Sequence, residues 1–336
     1  EIQYTVFCSA KKYRIKDKKY KDADLNYINL SPNGISSILY DFVSMIRSLN
    51  FDVMLILGVS GSLFLPIIRF IYKGLIITNI DGIEWKRAKW GKLARWVLRT
   101  SEKIAVRYSD VLIGDNQAII KYVRKEYNKP AELIEYGADQ CERNSDDISF
   151  KMIPYEKYAL SVCRIEPENN VDVILEAFKR FSDFPLVFIG NWNSCLYGQK
   201  LLEKYKYITN ILLLDPIYDL SKLNSIRMNA MVYIHGHSAG GTNPSLVEAM
   251  YFALPIFAYD CVYNIETTEN ECKYWTTAKD LIDLISNITK INMIDIGQKM
   301  KSIADKRYSW NIIVGKYERL FYIKPDKKRT HNRYVQ

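Results

Sequence analysis

The sequence has no cysteines spaced as C-x-x-C, no sustained apolar run long enough to cross a bilayer, and only three histidines. Each shortage removes a class of protein. The six cysteines (Cys8, Cys141, Cys163, Cys195, Cys261, Cys272) stand singly, which argues against a zinc site or a disulfide framework and fits a reducing cytoplasm. The most apolar stretch, Val53 to Tyr72, is interrupted by Gly58, Ser60, Gly61, Ser62 and Pro66 and carries Arg69. A span needs roughly 18 sustained apolar residues, so a buried strand, a turn and a short helix are expected there instead. His235 and His237 flank Gly236 with no cysteine or third histidine nearby, so no metal site is expected. No signal peptide is apparent; the chain opens with Glu1 in the strand-like "YTVFCSA", and a segment preceding it is expected.

What is present describes a folded α/β protein. With 336 residues, 48% hydrophobic and 25% charged, the chain has material for two cores. The net charge of +9 favours anionic partners: nucleic acid, acidic lipid or phosphorylated substrates. No recognised nucleic-acid module accompanies that charge, so nucleic acid is not expected.

Short apolar runs alternate with amphipathic ones. "FDVMLILG", "GLIITNI", "SDVLIGD" and "AELIEYG" read as strands in the first half, and "YALSVCR", "FPLVFIGN", "NILLLD", "AMVYIHG" and "LPIFAYD" in the second. "LARWVLRTSEKIAVRYS", "NQAIIKYVRKEYN", "VDVILEAFKRFS", "SLVEAMYFA" and the run at "AKDLIDLIS" read as helices. Such alternation implies two doubly wound parallel-sheet domains, with ligands at the carboxyl ends of the strands. The expected division is a first domain over 1–142, a polar linker over 143–154, a second domain over 155–306, a closing helix over 307–323 and a basic tail, with His331, over 324–336.

Two segments fall outside this scheme. "KKYRIKDKKYKDADLN" reads as a basic polar loop, either solvated or functional. "WKRAKWGKLARWVLRTSEKIAVR" sets Lys86, Arg87, Lys89, Lys92, Arg95, Arg99, Lys103 and Arg107 among Trp85, Trp90 and Trp96. It suits an anionic membrane surface; the other reading is an ordinary surface helix with its indoles packed inward.

The chemistry concentrates in "HGHSAGGTNPSLVEAM", His235 to Met250. Gly240-Gly241 and Asn243-Pro244 read as a turn after a strand, with Pro244 in the first turn of the next helix. A helix N-terminus exposes N–H groups to an anion, glycines let a phosphate approach, and Glu248 can accept from two neighbouring hydroxyls. A diphosphate beside a ribose satisfies both halves.

These residues also carry a resemblance. "GGTNPSLVEAM" resembles the nucleotide-sugar loop of the retaining family-4 glycosyltransferases of the GT-B fold. "SVCRIEPENNVDVILEAF", "LIEYGAD" and "YSWNIIVGKYERLFY" are similar to that family's other segments in the same order. "NIDGIEWKRAKW" with "YIHGHSAGGTNPSLVEAM" resembles a subgroup of bacterial rhamnosyltransferase-like proteins of surface-polysaccharide synthesis. The resemblance runs from about Val6 to Tyr322. It implies two facing Rossmann-like domains, the first lacking its first strand here. It implies transfer, with retention, from a nucleoside diphosphate sugar, dTDP-rhamnose being one candidate, to an oligosaccharide or lipid-linked acceptor. No cofactor is implied, and the expected location is cytoplasmic, peripheral on the inner face of the plasma membrane.

By position, the resemblance implies that Glu248 holds the ribose, that N–H groups of Gly241, Thr242 and Asn243 meet the diphosphate, and that Arg164 binds phosphate. Gly240 stands where the family has a sugar-contacting glutamate and Asn169 where it has a lysine, and both are departures. His237 is expected to reach phosphate or sugar, and Asn191, with Trp192 beside it, the base. Asp81 and Glu84 are expected to orient acceptor or donor sugar, with turn formation and an ion pair as the competing readings. Two further readings stay open: a GT-B nucleotide-sugar epimerase, and an inactive nucleotide-sugar-binding fragment.

Overall fold

The structure, a computed structural model, describes residues 2–13, 15–32, 34, 36–87, 90–141 and 153–323. The expected basic tail, most of the linker and Lys89 lie outside them. The described residues divide into two compact units: 2–114, 119–132 and 318–323 in one, and 115–118, 133–141 and 153–317 in the other. The boundary therefore departs from the expected 1–142. Asp115–Ala118 and the stretch from Leu133 onward pack with the second unit. The closing helix runs Trp310–Phe321, and Arg307 instead ends the preceding helix, Met293–Arg307.

The first unit holds two sheets rather than one. Strands β1 (Thr5–Ser9), β2 (Lys19–Tyr20) and β3 (Ala23–Ile28) lie in the order β1-β3-β2, with β1 and β3 parallel and β2 antiparallel to β3. The second half of the expected basic loop is thus a hairpin. Lys19 lies on its edge strand β2, where charge is tolerated and apolar patterning is weak. Strands β4 (Val53–Leu57), β5 (Leu75–Asn79), β6 (Val111–Gly114) and β7 (Glu132–Leu133) follow in sequence order in the second sheet. The apolar stretch Val53 to Tyr72 resolves as β4, a 3-10 turn at Ser60–Phe64 and the helix Leu65–Ile71. No helix among the described residues is long and apolar enough to cross a membrane.

The second unit is one six-stranded parallel sheet. Its strands are β8 (Ala159–Val162), β9 (Leu186–Ile189), β10 (Ile211–Leu214), β11 (Val232–His235), β12 (Ile256–Tyr259) and β13 (Lys273–Trp275), in the order β10-β9-β8-β11-β12-β13. Side chains alternate across it, as strand geometry requires. Leu160, Val187, Tyr233 and Ala258 join one apolar layer, while Ala159, Phe188, Ile234 and Phe257 join the other. That explains the unbroken apolar runs in its sequence, since both faces are covered. The covering helices are amphipathic: on Val171–Arg180 the buried set includes Val171, Ile174, Leu175 and Phe178, the i, i+3, i+4, i+7 pattern.

The strand order reverses between β8 and β11, whose register pairs Val232 with Ala159 and Tyr233 with Leu160. Connections leave these two strands toward opposite edges, which opens a crevice at their carboxyl ends. The second unit thus builds its own ligand position before any side chain is considered.

Candidate functional site

Two loops meet at this switch point. One follows β8 through Arg164 and a 3-10 turn at Pro167–Asn169; the other follows β11 through Gly236 to the helix Pro244–Tyr251. Polar bonds stitch them together. Asn169 donates through Nδ2 to Arg164 O at 2.6 Å, and its Oδ1 meets His237 Nδ1 at 2.6 Å. Asn170 Nδ2 donates to Gly236 O at 2.8 Å, and the Ser238 N–H and hydroxyl both donate to Glu168 O, at 2.9 and 2.8 Å. A side chain at Gly236 would stand 2.1 Å from Asn169 O, so only glycine fits between the loops. Asn169, 3% exposed with both ends of its amide engaged, holds Arg164 and His237 in place rather than facing a donor.

The glycine loop ends at a helix N-terminus as its sequence implied. Gly240 has φ +115°, a conformation that side chains avoid. Asn243 is the N-cap, its Oδ1 accepting from Ser245 N at 3.0 Å, and Pro244 opens the helix. Among the described residues, the N–H groups of Gly241, Thr242 and Asn243 donate to no protein acceptor. Gly241 has a second reason to be glycine, because an added Cβ would lie 1.7 Å from Asp115 Oδ1. Asp115 O also accepts from the Thr242 hydroxyl at 2.6 Å, and Asn116 Nδ2 reaches Thr242 Oγ1, Tyr263 O and Thr267 Oγ1. The Asp115-Asn116 clamp escaped the sequence reading. Its one signal is two polar residues directly after the apolar strand "VLIG".

Glu248 lies at the start of the second turn of that helix, with its side chain 18% exposed. Its Oε2 is paired with Arg227, and its Oε1 accepts from Gln140 Nε2 at 3.0 Å. Gln140 in turn accepts the Trp310 indole N–H at 2.6 Å. The same indole packs on Gly137, where a Cβ would lie 2.5 Å from the ring. Burial, then the nearby Glu248 carboxylate, pushes the Cys141 thiol up to about 11, which leaves it an inert neighbour of Arg227. Arg227 carried no sequence signal, sitting in the last turn of the helix "LSKLNSIRMN", where a basic residue is ordinary.

Other expected residues separate into open and closed ones. The Arg164 side chain is 64% exposed with Glu166 at 3.9 Å, so its guanidinium is available to an anion. Asn191 is exposed after β9, whereas Trp192 is buried, bonds to Leu214 O and stacks on nothing outside the core. His235 is buried with Nε2 unpartnered, and burial and then His237 hold its imidazole well below the ordinary histidine range. Among the described residues no group of His, Cys, Asp or Glu is arranged to hold a metal ion.

In the first unit, Asp81 is exposed with φ +58° beyond β5, its N–H bonded to Asn79 Oδ1 at 2.9 Å. Glu84 pairs with Arg87 at 3.1 Å and accepts from Trp90 Nε1 at 3.1 Å. Of the tryptophans, Trp85 lies under the cations of Lys86 and Arg99, Trp90 is tied to Glu84, and only Trp96 is largely exposed, at 66%.

Residues 145–306 match a family model described as glycosyl transferases group 1, and residues 1–139 one described as a domain of unknown function, DUF1972. No curated protein matches the chain. Among solved structures, sucrose-phosphate synthase from Thermosynechococcus elongatus is 13% identical, with TM-score 0.75 over 94% of this chain and 88% of the other. HepE of Anabaena, in complex with UDP-glucose, is 13% identical, with TM-score 0.71 over 88% and 86%. A glycosyltransferase from Rickettsia africae is 12% identical, with TM-score 0.68 over 93% and 86%. At such identities the likeness establishes the fold, which is the two-domain Rossmann-like GT-B architecture. With the group 1 match, the chain is a glycosyltransferase.

Proposed function

We propose that this glycosyltransferase moves a sugar, with retention, from a nucleoside diphosphate carrier to the hydroxyl of a saccharide acceptor, and that the donor sits at the β8–β11 switch point. The observation carrying this reading is the row of N–H groups at Gly241, Thr242 and Asn243, which donate to no protein acceptor at the mouth of a helix. Departure of a diphosphate places negative charge where those dipoles point, and fixed donors stabilise it without reorganising. Arg164, with its side chain 64% exposed, adds a full charge. Glu248 keeps exposed acceptor capacity for the ribose. A protein nucleophile is not required if the leaving phosphate takes the acceptor proton on the attacked face. The resemblance to rhamnosyltransferase-like proteins makes rhamnose the favoured sugar.

The acceptor is proposed to be lipid-linked. Leu93, 76% exposed, and Trp96 lie on the outer half of the helix Lys92–Tyr108 beside Lys92, Arg95 and Arg99. Apolar anchors among cations match an anionic membrane surface. Absence of sedimentation with phosphatidylglycerol vesicles at low salt would overturn that part.

Calorimetric titration with UDP and GDP tests the donor site. Glu248→Ala and Arg164→Ala should each weaken binding by roughly tenfold or more, as expected on losing a bond to a charged group. Unchanged affinity in both variants refutes the assignment.

A further inference from the structure

Arg227 lies on the helix Leu220–Asn229 with its side chain 2% exposed. Burying a guanidinium is unfavourable unless a carboxylate compensates it, and among the described ion pairs its partner is Glu248. Asn224 Oδ1 at 3.3 Å and Cys141 Sγ at 3.8 Å accept from Nη1, while Nε has no hydrogen bond. Nη2 is the nitrogen that meets the carboxylate, and Nη1 is held by Asn224 and Cys141.

Gln140 works from the other side. Its amide oxygen is taken by the Trp310 indole N–H, so its NH2 group must face Glu248 Oε1. Turning the amide over would break both bonds. Glu248 is therefore gripped by one donor on each oxygen. A carboxylate has about four acceptor positions and no donor, so one position remains on each oxygen. Two such positions on adjacent oxygens match two hydroxyls on adjacent carbons.

We propose that Gln140 and Arg227 are positioning residues that present Glu248 as a two-oxygen acceptor for a vicinal diol. The site then selects ribonucleoside diphosphates over their 2′-deoxy counterparts. This rests on the donor-site reading above. A 2′-deoxyribose leaves one carboxylate oxygen without its hydroxyl, which costs roughly tenfold to a hundredfold in Kd. A donor carried on deoxythymidine diphosphate, such as dTDP-rhamnose, is therefore disfavoured; a ribonucleotide carrier fits.

The test is calorimetric titration of the full chain with UDP, 2′-deoxyUDP, GDP and 2′-deoxyGDP. For whichever base binds, the ribose form should be tighter by about tenfold or more. Gln140→Ala, at an exposed position, should keep the melting temperature and reduce that preference to about threefold or less. Arg227→Lys, which keeps the charge but not the fork, should reduce it as well. Ribose and deoxyribose forms binding alike, or a preference that Gln140→Ala leaves intact, overturns the proposal while the donor site stands. No binding of any of the four overturns the donor site and this inference together.

Discussion

The two units use similar alternations of strand and helix yet hold themselves together differently. In the second, the sheet is covered on both faces by apolar layers that include Leu160, Tyr233 and Met250 on one side and Phe178, Phe257 and Trp275 on the other. The first sets polar pairs inside its interior as well. Arg69 and Asp110 pair at 3.0 Å with side chains about one-tenth exposed. Thr78 and Ser109 share a buried hydrogen bond of 2.7 Å, and the buried Glu102 accepts from Tyr122 and Tyr127 at 2.5 Å each. The first unit also leaves Leu57, Ile67 and Phe70 exposed at 73%, 58% and 76%. An apolar layer loses stability by the volume removed from it, whereas a buried polar pair is vulnerable wherever a single partner is lost.

That contrast can be broken by substitution, read as hydrogen exchange on the strand amides of each unit. Phe257→Ala, at a position with no exposure, should cost about 4 kcal/mol, the transfer and cavity cost of a buried ring, with protection lost in the second unit. Asp110→Ala strands Arg69 and removes the acceptor of the Ile76 N–H. It should cost about 3 kcal/mol, with protection lost in the first. If Asp110→Ala costs less than a surface substitution, the polar account of the first unit fails.

The second unit has its own polar weak point at His235. Its imidazole is depressed in the folded state, so the unfolded chain binds the proton first. Stability is unaffected above about pH 6.5 and falls as pH drops below it, by up to ~1.4 kcal/mol per pH unit for one proton, until the folded imidazole also protonates. Denaturant melts between pH 7 and 5 should show that slope, and His235→Gln should flatten it. The smallest effect concerns the helix Ala278–Ser286, which Thr277 caps while Asp280 closes the capping box. Thr277→Ala should cost about 1 kcal/mol. Hydrogen bonds from Thr276 and Thr277 hold the Asp280 carboxyl down to about 2. Its contribution is present above about pH 4 and lost as pH falls through 2, a signature separable from that of His235.

Much of this was legible beforehand, and the reason is local. β5, β6, β8, β9, β11 and β12 were written as short Val/Ile/Leu runs because both faces of such strands are buried. The turn at Gly240 to Pro244 was readable because its glycine and proline answer to backbone geometry a few residues wide. The hairpin β2–β3 was not, since its edge residues are charged, and neither was the three-residue β13. At the site, Glu248 and Arg164 could be nominated from their neighbours in the chain. Arg227, 21 residues before its partner, and Gln140, 108 before, could not.

The chain alone determined which apolar segments are buried strands, where a helix would offer bare N–H groups, and which carboxylate follows them, because each depends on spacing within one or two turns. Only the tertiary structure decided that Asn169 is spent as a clamp, that Asp115 fills the side-chain side of Gly241, and that Glu248 is held between Arg227 and Gln140. Those assignments depend on which distant polar groups must satisfy one another once water is excluded, and a buried polar group takes its partner from space, not from sequence.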